Sequence, residues 1–202
     1  YHEFSTALKI RKFVPYYVWE ILKAMPKDSH PMTMLSTAVL SMQKESNFAH
    51  HYESGIHKSE YWRYTLEDAL NIVAKLPSIA AAIYRLRYNK GELVQPDPDM
   101  RLSEDFVHML GIDAPQNEFL SLIRLFLVAH SDHEGGNVSS FTSAVVNSAL
   151  SDLYYSMSAG FNGLAGPLHG LANQEALKWL LDVMKKFNGT PTKEQIEIEV
   201  NE

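Results

Sequence analysis

Two segments of the 202-residue chain interrupt strongly apolar stretches with polar and glycine residues, so chemistry is sought there first. The first is His130-Ser131-Asp132-His133-Glu134-Gly135-Gly136-Asn137. His133 falls at the predicted end of one helix, and Asn137 at the start of the next. A helix N-terminus offers unpaired backbone N–H groups and a partial positive charge, a fitting seat for a carboxylate. Gly135 and Gly136 let that backbone approach a ligand with no Cβ in the way. An imidazole and an amide beside it add donors for a small dianion.

The second segment runs from Gly163 through Pro167-Leu168-His169-Gly170 to Glu175. Proline fixes one side of His169 and glycine frees the other. The ring is therefore expected on a rigid stem with a hinge just behind it. A neutral imidazole N–H aimed at a developing enolate oxygen would favour loss of a proton next to a carbonyl.

Plainer readings of the same residues stand beside these. His130, Asp132, His133 and Glu134 have the chemistry of a metal cluster, but side chains so crowded at a helix end cannot all face one ion, and no metal site is expected. Spacing alone would favour His133 as a hydrogen-bonded cap on a helix C-terminus, and His130 reads as an interior or partner-facing histidine. Gly163, Gly166 and Gly170 are not a phosphate loop, because no strand precedes them and no Lys-Ser/Thr follows. The chain has no cysteine, which removes disulfides and thiolate chemistry.

The elements that must hold these segments are helical throughout. Pro15 opens a helix with Val18, Ile21, Leu22 and Met25 on one face, closed by Pro26. A second follows Pro31, with Met34, Leu35, Ala38, Val39 and Met42 in a stripe. Thr65 with Asp68 resembles a helix-start box, leading into a run to Tyr84 with a kink expected at Pro77. Gln95-Pro96-Asp97-Pro98-Asp99 is a loop, and Ser103 starts a short helix ending at Gly111. Pro115 opens a long helix through His130 that composition predicts to be buried. From about Val138 a helix rich in serine and alanine suits close packing on another helix, and a further one reaches Phe161. Asn162 to Pro167 is expected as a turn. A helix carrying Leu177, Leu180, Leu181 and Met184 follows, and Thr190-Pro191 opens another. Ile196, Ile198 and Val200 fit an unfinished helix or a solvated tail. The fold class is all-α.

A net charge of -6, with no clustered basic stripe, argues against nucleic acid as a partner. No uninterrupted apolar run reaches the roughly 18–20 residues that cross a bilayer, so no membrane partner is expected. The start at Tyr1-His2-Glu3 has no targeting character, and the chain is expected to be an internal segment of a longer protein.

The two segments, together with Ser148-Ala149-Leu150-Ser151-Asp152, His30-Pro31-Met32, Glu45 to Ala49 and Lys75-Leu76-Pro77, resemble citrate synthase of the eukaryotic mitochondrial type over essentially the whole chain. The resemblance implies a multi-helical fold, with residues 1–169 the central part of a large domain and 170–202 the hinge and first helix of a small one. It implies that His169 hydrogen-bonds the acetyl-CoA thioester oxygen, that His133 and Asn137 bind oxaloacetate, and that Lys58 lies near the CoA phosphate. Acetyl-CoA is then a co-substrate, with no tightly bound cofactor. A homodimer in the mitochondrial matrix is also implied. The family's second active-site histidine, aspartate base and citrate-binding arginines would lie downstream, and an N-terminal portion of the large domain upstream. The isolated segment is accordingly expected not to turn over. A 2-methylcitrate synthase and a non-catalytic dimerisation or assembly segment are the rival readings.

Overall fold

A computed structural model describes residues 2–112, 116–131 and 135–201. The described chain is helical, with no strand among those residues. It divides into two compact units, Tyr1–Gly163 and Leu164–Glu202.

The first unit opens with α1 (His2–Arg11), α2 (Tyr16–Ala24) and α3 (Pro31–Ser41). Pro15 caps α2, and Pro31 takes the first turn of α3, where its missing N–H costs nothing. His30 supplies the cap sequence reading overlooked: its Nδ1 accepts the Met32 N–H at 3.2 Å. A 3-10 turn (Met42–Glu45) leads to α4 (Asn47–Glu53), capped by Ser46, whose hydroxyl accepts the Ala49 N–H. After a second 3-10 turn (Lys58–Glu60), α5 runs from Tyr61 to Arg87 without a break at Pro77.

The expected start box at Thr65 and Asp68 is therefore wrong. α5 begins a turn earlier, and the Thr65 hydroxyl donates to the Tyr61 carbonyl within it. Asp68 is completely buried and serves another helix. Its carboxylate accepts the Ser46 hydroxyl (2.8 Å), the Asn47 N–H (2.7 Å), the Asn47 side-chain amide (2.9 Å) and the Phe48 N–H (3.1 Å). A negative group at the N-terminus of α4 satisfies donors that would otherwise be orphaned, and it complements the helix dipole.

The core lies where α2, α3 and α5 meet α9 (Leu153–Leu164). Val18, Leu22, Met34, Val39, Met42, Ile79 and Tyr154 are each almost wholly removed from water. Each contributes roughly 1.5–3 kcal/mol of burial free energy. Ser36 and Ser158 face each other at 2.8 Å where α3 crosses α9, which keeps that buried crossing satisfied. Within 58–87 one window has mean hydropathy 1.2, long and apolar enough to cross a membrane. Its packing against α1, α3, α4 and α6 (Leu102–Leu110) explains that composition as core.

Gly111 ends α6 in the left-handed conformation at φ 61°, a standard glycine stop. Lys12 and Asp105 form an ion pair at 2.7 Å with side chains only 4% and 3% exposed. Lys12 also donates to the carbonyls of Asp97 and Met100, and Asp105 accepts the Asp97 N–H. The pair thus ties the proline loop to α6 and to the residue that follows α1.

α7 (Gln116–Ala129) corrects a second expectation. No residue of it whose side chain is described is buried, and Leu122, Leu125, Phe126, Leu127 and Val128 are exposed, Leu125 at 66% and Val128 at 71%. Composition marked this helix as apolar but could not say what covers it. α8 (Val138–Ser148) likewise turns Phe141 and Val145 to the surface. α9 also overruns the predicted turn, continuing through Asn162 and Gly163 to Leu164.

The second unit holds α10 (Ala172–Lys186) and α11 (Lys193–Asn201). The 196–200 alternation is helical. Leu177, Leu180, Leu181 and Met184 share one face of α10 as their spacing predicts, but they are exposed, and Val183 is buried instead.

Candidate functional site

Asn137 caps α8 at φ -81° and ψ 164°, so the corner is a true helix N-terminus. Its side-chain oxygen accepts the Ser140 N–H at 3.0 Å and the Ser139 hydroxyl at 2.7 Å. Its Nδ2 donates to the Ser140 hydroxyl at 3.1 Å. The amide is thereby fixed in orientation at the end of the helix dipole, where a carboxylate is favoured. The Asn-Val-Ser-Ser run carries this local signal in sequence. Among the described residues, a Cβ at Gly135 or Gly136 would meet nothing within 4 Å. His133, with Asp132 and Glu134, lies outside the described residues. His130 is exposed in the turn just past α7; its Nδ1 lies 2.8 Å from the Phe126 carbonyl and its ring stacks on Phe126 at 4.0 Å.

α9 supports the corner from behind. The Val138 methyl would lie 3.1 Å from a Cβ at Gly163, and the Ser139 carbonyl 3.1 Å from one at Gly160. The Ser143 hydroxyl donates to the Ser139 carbonyl at 2.9 Å, closing the α8 side of this crossing. Small residues permit the close approach that the serine-rich α8 predicts.

His169 belongs to the second unit. Its backbone N–H and that of Gly170 both donate to the Gly166 carbonyl, at 3.0 and 2.9 Å. The histidine is half-buried, and the preceding Leu168 is fully exposed. The residue thus stands on a hydrogen-bonded turn between Pro167 and α10. An imidazole so placed can donate a hydrogen bond to the oxygen of a reacting carbonyl.

Lys58 opens the 3-10 turn ahead of α5, exposed at the surface. His57 caps that turn, its Nδ1 accepting the Ser59 N–H. Among the described residues no three His, Asp or Glu side chains converge as a metal site. Two clefts of the first unit are lined by other residues. One of about 440 Å³ includes Glu104, His108 and Phe119, and one of about 570 Å³ includes Tyr61, Trp62 and Leu150. Neither contains Lys58 or Asn137.

The family model described as "Citrate synthase, C-terminal domain" matches residues 1–200. The chain is 46% identical over 193 residues to the mitochondrial citrate synthase of Daucus carota, covering 96% of this chain and 40% of that protein. It is 47% identical over 188 residues to the mitochondrial 2-methylcitrate synthase of Yarrowia lipolytica, covering 93% and 40%. The crystal structure of citrate synthase from Pyrobaculum aerophilum superposes with a TM-score of 0.81 at 31% identity, over 90% of this chain and 45% of that one. The chain therefore spans about 40% of the length of these curated relatives.

Proposed function

The chain belongs to the citrate synthase family, a transferase-type enzyme family, and from that premise we propose that its full-length protein condenses acetyl-CoA with oxaloacetate to give citrate and CoA. The observation that carries the proposal is the turn at His169, whose two backbone donors converge on the Gly166 carbonyl and hold the histidine on a fixed stem.

In this reading the His169 N–H donates to the thioester oxygen and stabilises the charge that gathers there as a methyl proton leaves. The base that takes the proton lies outside these 202 residues. The enolate carbon then bonds to the keto carbon of oxaloacetate, whose oxygen takes a proton. Water cleaves the resulting citryl thioester to citrate and CoA thiol. Asn137, with His133, holds oxaloacetate at the N-terminus of α8, where the helix dipole offsets its two negative charges. Lys58 receives a CoA phosphate as a surface cation. Residues 1–169 act as part of a large domain and 170–202 as the start of a small one, hinged near Gly170.

The exposed apolar faces of α7 and α8 support a homodimer, and the mitochondrial relatives support the mitochondrial matrix as its location. Imaging a fluorescent fusion of the full-length protein tests the location, and a peroxisomal signal would overturn it.

Release of CoA thiol from acetyl-CoA and oxaloacetate by the full-length protein tests the function. Turnover faster with acetyl-CoA than with propionyl-CoA is the expected result. The reverse preference would make the protein a 2-methylcitrate synthase, and no release from either would leave it an assembly segment. The isolated 202 residues are expected to release none.

A further inference from the structure

Gly170 sits where a hinge is expected, yet its backbone does not use glycine's special freedom. The glycines with positive φ are Gly55, Gly91, Gly111 and Gly189, and Gly170 is not among them. What it lacks is room. A Cβ built there would overlap the carbonyl oxygen of Leu164 and lie 3.1 Å from the carbonyl carbon. Leu164 is the last residue of α9. Both obstacles are backbone atoms, so no side-chain rotation relieves the overlap.

We infer that Gly170 is a positioning residue for His169: its bare Cα lets the chain close against the Leu164 carbonyl, and that closure fixes where the imidazole stands. The two hydrogen bonds onto the Gly166 carbonyl transmit the constraint, since the His169 and Gly170 N–H groups share one acceptor. A side chain at 170 must open the loop between 164 and 170, and residue 169 moves with it. The clasp itself follows from geometry; its catalytic consequence rests on the function proposed above.

Gly170→Ala in the full-length protein tests the clasp. Diethyl pyrocarbonate modification, mapped by peptide mass spectrometry, reads His169 against the other histidines. The variant is expected to speed modification of His169 several-fold, while the remaining histidines and the helical circular dichroism stay as in the parent. An unchanged His169 rate in a folded variant overturns the inference. Should the variant fail to fold, hydrogen exchange of the parent decides. Slow exchange at the 169 and 170 amides supports the clasp, and exchange at the free-chain rate overturns it.

In the full-length enzyme Gly170→Ala is expected to lower kcat by about 100-fold, the scale of a misplacement near 1 Å, with the oxaloacetate KM little changed. A variant that loosens His169 in the modification assay yet keeps full kcat would confirm the clasp and refute the role given to His169.

Discussion

α5 and α7 are both apolar helices, and the structure treats them oppositely. α5 buries Ile72, Ala74, Ile79, Ala81, Ala82 and Ile83 among its neighbours, while α7 leaves five large apolar side chains facing outward. α5 even places a carboxylate, Asp68, inside the core and satisfies it fully. Single exposed leucines are ordinary, but a contiguous apolar face on one helix marks a surface meant for something else. The contrast separates the helix that folds this chain from the face on which the proposed homodimer would form.

The largest effect should come from emptying the polar centre of α5. Asp68→Ala strands the buried donors of Ser46, Asn47 and Phe48, and a loss of about 3 kcal/mol or more is expected in urea unfolding. A loss below about 1 kcal/mol, the usual net worth of a single hydrogen bond, would mean that α4 is held by packing alone. Ile79→Ala, at a site with no exposure, should cost about 2–5 kcal/mol through burial and cavity terms together.

Leu125→Glu on α7 should do the opposite. The unfolding free energy extrapolated to dilute protein should move by less than about 0.5 kcal/mol, as for a surface site. The mass of the full-length protein by light scattering should fall from dimer to monomer. A destabilisation as large as that of Ile79→Ala would place α7 in the core of its own chain.

The smallest effect concerns pH. Burial first, then the negative charges of Asp68 and Glu45, push the Tyr154 phenol above its usual range. The unfolded chain, with a tyrosine near pKa 10, loses that proton first, so stability should fall as pH rises past about 10. Tyr154→Phe should flatten this alkaline slope, measured as urea midpoints on either side of that pH. An unchanged slope would assign it to other groups.

Much of this was legible from local chemistry. Pro15, Pro31 and Gly111 mark helix ends because their restrictions or freedoms act within a turn. Asn137 reads as a cap for the same reason, with its two serines close behind. The misreadings are all tertiary. Thr65 and Asp68 have the spacing of a start box, but Asp68 serves a helix twenty residues away in sequence. α7 has the composition of a core helix, and composition does not say what covers it. α9 continues past Asn162 because Gly163 can face Val138 there. The need for glycine at 170 arises from a carbonyl six residues back, which spacing does not announce.

His169→Ala in the full-length protein, assayed by CoA thiol release, bears most directly on the reaction proposed for this chain. Loss of a donor to the thioester oxygen should lower kcat by about 100- to 1,000-fold and leave the oxaloacetate KM within a few-fold of the parent. A folded His169→Ala protein with the parent's kcat would contradict the central assignment.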